Sequence, residues 1–91
     1  MGYNWFQTNQ MTTLDKIIEN FSEESFLKAD GFDSAVIGYD SSLRLVYSVK
    51  ECINILISEG MTEEEAWEHF DYNVAGSYVG EKTPVWCNDY L

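Results

Sequence analysis

Leu43-Arg44-Leu45-Val46-Tyr47-Ser48-Val49-Lys50-Glu51-Cys52-Ile53-Asn54-Ile55-Leu56-Ile57-Ser58-Glu59-Gly60 changes its hydrophobic period in mid-run. Up to Ser48 the period is two, with Leu43, Leu45 and Tyr47 on one face and Arg44, Val46 and Ser48 on the other, which predicts a strand. From Val49 the spacing is helical: Val49, Cys52, Ile53 and Leu56 make a stripe that Ile55 and Ile57 widen. Ser48-Val49-Lys50-Glu51 reads as a capping box, in which Ser48 and Glu51 satisfy each other's backbone donors. Gly60 suits the left-handed position that closes a helix.

Upstream, Ala35, Ile37 and Tyr39 alternate with Val36, Gly38 and Asp40, and the short polar turn Asp40-Ser41-Ser42 joins this run to Leu43. Two alternating runs around such a turn predict a β-hairpin, and Gly38 inside the first suggests a bulge. Earlier still, Leu14, Ile17, Ile18 and Phe21 form a helical stripe behind Thr12 or Thr13 as cap, with Asp15 favouring the positive helix end. Ser22-Glu23-Glu24-Ser25 restarts that pattern briefly with Phe26 and Leu27 as a buried pair, and Asp30-Gly31 stops it.

Downstream, Thr62-Glu63-Glu64-Glu65 is a second capping box, opening a helix with the stripe Ala66, Trp67, Phe70 and Val74 and a stop at Gly76. The tail from Ser77 to Trp86 reads as strand, turn and short strand, with Pro84 placing the last piece at an edge or outside the sheet. The expected architecture is α+β: a small antiparallel sheet, made of the hairpin and a C-terminal strand, with helices packed on one face. Residues 11–91 form the domain and residues 1–10, which lack any period, an N-terminal extension.

Composition narrows the function. Ninety-one residues make one domain, and 45% apolar with 15% aromatic residues is too much for a disordered chain. Sixteen acids against five bases give −11, which repels phosphate backbones and anionic membranes and disfavours direct nucleic-acid binding. No apolar run reaches the roughly 20 residues of a membrane span, and Met1-Gly2-Tyr3-Asn4-Trp5-Phe6 has no secretory pattern. Cys52 and Cys87 are then expected as reduced thiols in a cytoplasm. A domain this small has a narrow stability margin, so a homo-oligomer is an option.

The residues offer little for catalysis. His69 is alone, four positions after Glu65, with no second ligand at metal spacing. Cys52 sits on an apolar stripe, and neither cysteine belongs to a C-x-x-C pair. Gly76-Ser77-Tyr78-Val79-Gly80-Glu81-Lys82-Thr83 fails as a phosphate loop, because three residues separate its glycines and Glu81 precedes Lys82. Asp30, Asp33 and Asp40 lack calcium-loop spacing. No catalytic residue, metal or cofactor is expected.

Binding is better provided for. Glu59, Glu63, Glu64, Glu65, Glu68 and Asp71 form the densest acidic patch, which is either a solvated helix face or a phosphate mimic for a basic groove. Tyr3, Trp5, Phe6, Tyr72, Tyr78, Trp86 and Tyr90 exceed what so small a core hides easily, and such residues are enriched in interfaces. The expected partner-binding set is Glu63, Glu64, Glu68, Asp71, Tyr72, Tyr78 and Trp86. The alternative is a module sequestering a small nucleotide-like signal through Arg44, Tyr78, Lys82 and Thr83.

Gly31-Phe32-Asp33, Cys52-Ile53-Asn54-Ile55-Leu56, Gly60-Met61-Thr62-Glu63-Glu64-Glu65-Ala66, and Phe70 followed by the run Asn73-Val74-Ala75-Gly76-Ser77-Tyr78-Val79-Gly80-Glu81-Lys82-Thr83-Pro84 resemble a family of small bacteriophage and prophage proteins. The resemblance spans Met11 to Trp86, and the last run is its most specific part. It carries no catalytic residues. It implies a phage accessory protein acting in the host cytoplasm, and with the acidity it implies an inhibitor of a host defence protein with a basic surface, such as a CRISPR effector.

Overall fold

The computed structural model describes residues 11–76 and 79–90. The predicted extension, residues 1–10, and Tyr78 with its neighbour Ser77 lie outside the described residues. The elements run α1 (Thr13–Asn20), a 3-10 turn (Asp33–Ala35), β1 (Val36–Tyr39), β2 (Leu45–Ser48), α2 (Val49–Ser58), α3 (Glu63–Phe70), a π turn (Asp71–Ala75) and β3 (Val85–Cys87). The class is α+β.

The strand order is β1-β2-β3, with β1 and β2 antiparallel as expected of a hairpin. The third strand differs from the expectation: Val46, Tyr47 and Ser48 pair with Val85, Trp86 and Cys87 in parallel, so the sheet is mixed. Parallel neighbours need a long crossover, and residues 49–84, holding both helices and the Gly76–Pro84 connection, supply it. Pro84 stands just before an edge strand, where its missing N–H breaks no ladder.

The bulge anticipated at Gly38 is present as a register shift between Val36 and Gly38. Within β1 Val36 faces the core, while Ile37 and Tyr39 stay 50% and 47% exposed. Ala35, also buried, is the last residue of the 3-10 turn before the strand, so its burial beside Val36 belongs to that turn and not to the pleat.

On α2 the buried residues are Val49, Cys52, Ile53 and Leu56, the stripe read from the sequence, whereas Ile57 is exposed. Leu45 and Tyr47 from β2, Leu14 and Ile17 from α1, and Ala66 and Phe70 from α3 close the core around it. The Tyr47 hydroxyl satisfies itself there by accepting from Ala29 N–H at 2.8 Å. Thr12 and Asp15 form a reciprocal capping box on α1.

Three local expectations are corrected. Ser22–Leu27 is not helical, and Leu27 is 42% exposed rather than half of a buried pair. Ser48 does cap α2 by accepting from Glu51 N–H, but Glu51 makes no return bond, and Asp89 instead accepts from the Ser48 hydroxyl and from Lys50 N–H. Gly60 adopts the left-handed conformation with φ 107°, whereas Gly76 has φ −79° and ends a π turn instead. A Cβ at Gly76 would stand 3.1 Å from Asp71 O, so close approach rather than backbone hand favours glycine there.

Candidate functional site

Thr62 starts α3 with a complete capping box: Glu65 N–H donates to Thr62 Oγ1 at 3.1 Å, and Thr62 N–H donates to Glu65 Oε1 at 2.9 Å. Glu65 is therefore committed to the helix. Glu63 accepts from the Tyr90 hydroxyl. That leaves Glu64, Glu68 and Asp71 exposed on successive turns, with no cation bridging them. The one ion pair among the described residues is Arg44 with Asp40, away from this helix.

At the end of that acidic row stands Tyr72, 81% exposed. A shallow groove of about 410 Å³ beside it is lined by Met61, Glu65, Glu68, His69, Tyr72 and Asn73. His69 is half-buried, with its Nδ1 3.3 Å from Asn73 Nδ2. Four members of the expected binding set, Glu64, Glu68, Asp71 and Tyr72, thus share an open surface. Glu63 is adjacent but already holds Tyr90.

Trp86 is placed differently from the expectation. Its ring packs 5.1 Å from Tyr47 and 5.3 Å from Phe70, edge-on to the latter, so it covers the core rather than projecting to a partner. Trp67 lies edge-on to Phe70 at 6.4 Å and meets the Tyr90 ring at 5.1 Å. Asp89 escaped the sequence reading, and Tyr90, named there among the surplus aromatics, was not connected with Glu63. Their partners lie dozens of positions away, and no local pattern announces them.

The cations of the alternative ligand set are engaged within the chain. Arg44 Nε and Nη2 each lie 2.7 Å from Asp40 Oδ2. The backbone N–H of Arg44 is the largest influence on the Asp40 carboxyl and outweighs the opposing effect of burial; with the Arg44 side chain and Ser42 N–H it holds that carboxyl below its usual range. Lys82 Nζ donates to the carbonyls of Ser42 and Leu43 at 3.3 and 3.4 Å and lies 6.0 Å from the Phe26 ring centre. Thr83 Oγ1 accepts from Val79 N–H and donates to Gly80 O, closing the turn. None of the three lines the groove beside Tyr72.

A more enclosed cavity of about 290 Å³ lies elsewhere, between the connection from α1 to β1, the π turn and the residues leading into β3. Leu27, Phe32, Val74, Val79, Pro84 and Trp86 supply its apolar lining, and Lys28, Asp30 and Asn73 its polar groups. No cluster of three or more metal-ligating side chains occurs among the described residues, and no helix there is long and apolar enough to cross a membrane. Comparison with protein-family profiles, with curated proteins and with solved structures returned no match.

Proposed function

We propose that this chain is a non-catalytic phage accessory protein that blocks a host antiviral protein by laying the outer face of α3 on a basic surface. The observation that carries the reading is the row Glu64, Glu68 and Asp71, exposed and free of cations, ending in the exposed ring of Tyr72. Residues three and four apart share a helix face, so the row presents a line of negative charge about one helical turn apart, near 5.4 Å. A groove that normally holds a phosphate backbone meets the same sign of charge at a comparable repeat. Tyr72 adds a rigid aromatic contact of the kind that anchors interfaces. The net charge of −11 steers such an encounter and opposes direct binding to nucleic acid. The resemblance of residues 11–86 to phage proteins supports a reading in which the partner is a host defence protein, CRISPR effectors included, met in the host cytoplasm.

The test is capture from bacterial host lysate with the native chain and with a Glu64→Lys, Glu68→Lys double variant. The variant is expected to fold normally, since both positions are solvent-facing, and to lose the partner. With a purified partner, the loss should appear first in association rate at low ionic strength, because exposed rim charges act mainly on encounter. Tyr72→Ala should instead speed dissociation. A partner that binds the double variant equally well at every salt concentration would remove the acidic face from the mechanism.

A further inference from the structure

The groove of about 410 Å³ at the end of α3 is built from three consecutive pieces of chain. Glu65, Glu68 and His69 come from the helix, Met61 from just before its cap, and Tyr72 and Asn73 from the π turn that follows. Two carboxylates facing solvent would by themselves be an ordinary solvated surface. Here they share a groove with the Tyr72 ring, 81% exposed, and with the apolar chain of Met61. Two of the walls are fixed before any ligand arrives. Glu65 Oε1 is held by Thr62 N–H at 2.9 Å, which orients that carboxylate and leaves Oε2 to accept from outside. The His69 ring is tied through Nδ1 to Asn73 Nδ2 at 3.3 Å. No cation of the chain pairs with Glu65 or Glu68, since Arg44 with Asp40 is the one ion pair among the described residues. Nor, among those residues, do three ligating side chains converge closely enough for a metal ion.

A flat, spread cation meets all of these conditions. A guanidinium lays its face on an aromatic ring and sends N–H donors outward in its own plane, whereas an ammonium is a compact, strongly hydrated point charge. Glu65 and Glu68, three positions apart on α3, are neighbours on the helix surface, within the span of one guanidinium. We propose that the groove seats one arginine side chain of the partner, its guanidinium on the Tyr72 ring, its donors on Glu65 and Glu68, and its alkyl stem against Met61. This deepens the reading of the α3 face and rests on it for the protein that carries the arginine.

N-acetyl-arginine amide is the probe. N-acetyl-lysine amide matches its charge, and N-acetyl-citrulline amide matches its shape without the charge. His69 is the single histidine of the chain and lines the groove, so its ring C–H signals report occupancy at constant pH and ionic strength. The arginine probe is expected to move them saturably, with a dissociation constant on the order of 10 mM. The lysine and citrulline probes should bind about tenfold more weakly, for want of the stacked plane and of the charge-assisted bonds respectively. Tyr72→Leu, at an exposed position, and Glu65→Gln, which keeps the cap because glutamine also serves there, should each weaken arginine binding and leave the urea midpoint in place. His69 signals that ignore arginine up to about 50 mM, several times the expected constant, overturn the proposal. So does equal affinity for the lysine probe, which would reduce the effect to general attraction by an acidic chain. The readout needs no partner. A silent groove in a chain whose Glu64→Lys, Glu68→Lys variant still loses its partner removes the arginine and leaves the acidic row standing. Arginine binding with capture indifferent to that variant supports the arginine site and removes the row.

Discussion

Cys52 and Cys87 have the same side chain and opposite chemistry. Cys52 is fully buried on the inner stripe of α2, and burial, reinforced by Asp89 and Glu51, pushes its thiol up to about 12. Since the thiolate is the reactive form, Cys52 is inert at neutral pH. Cys87, half-buried on an edge strand, keeps access to solvent. Iodoacetamide at about pH 8, near the ordinary thiol range, is expected to modify Cys87 and spare Cys52 until the chain is unfolded. Peptide mass spectrometry reads this directly, and equal labelling rates would mean that the α2 stripe is misplaced. The same shift affects stability. A folded-state value raised above the ordinary 9.0 means that the native chain retains a proton which the unfolded chain releases. Stability therefore falls as pH climbs from 9.0 towards about 12, and Cys52→Val should remove that part of the slope.

The amino end of α2 shows how one element is completed by another. Glu51 N–H donates to Ser48 Oγ at 3.0 Å, the Ser48 hydroxyl donates to Asp89 Oδ2 at 2.6 Å, and Lys50 N–H donates to Asp89 Oδ1 at 3.0 Å. A carboxylate from the segment after β3 thus seals a helix that follows β2 directly. The Ser48 hydroxyl first, then Lys50 N–H, hold Asp89 below the usual carboxylate range. A depressed acid stabilises above its unfolded value and ceases to do so as pH falls through its folded one. Asp89→Ala is expected to lower stability by about 1 kcal/mol at neutral pH, the effect of losing a helix cap. In urea melts the gap to the native chain should close as pH drops below about 4, and a gap constant down to about pH 2 would acquit the carboxylate. Deeper in the same helix, Leu56 is 3% exposed at the centre of the stripe. Leu56→Ala should cost about 2–5 kcal/mol, and a loss under about 0.5 kcal/mol, the size of a surface effect, would contradict that placement.

Across the molecule, every described helix and the central strand β2 send side chains into one cluster. Among the described residues that cluster begins at Leu14, and residues 1–10 carry no hydrophobic period, so a chain begun at Met11 is expected to fold, with its helical circular dichroism and urea midpoint close to those of the full chain. A truncated chain that stays unfolded would put Trp5 and Phe6 into the core or a subunit contact. The surface carries sixteen acids and five bases, and Arg44–Asp40 is the one ion pair among the described residues. Most of the acidic charge is therefore unneutralised by side-chain pairing, and the row on α3 concentrates it beside Tyr72.

The helices, their caps and the hairpin were legible in the residues because each is governed by neighbours within about four positions: periodicity for α2, Thr62 with Glu65 for α3, Gly38 for the bulge. The exposed row Glu64, Glu68, Asp71 follows from the same spacing, since a stripe at Ala66 and Phe70 turns those positions outward. What depends on distant residues was not legible. The direction of β3 depends on where the chain rejoins the sheet after α3, and alternation within a strand is blind to its neighbour's sense. Trp86 looked like a free aromatic until Tyr47 and Phe70 closed on it. Asp89 on α2, Tyr90 on Glu63 and the cavity beside Trp86 likewise exist only after the chain has folded, because each joins groups that local spacing cannot bring together.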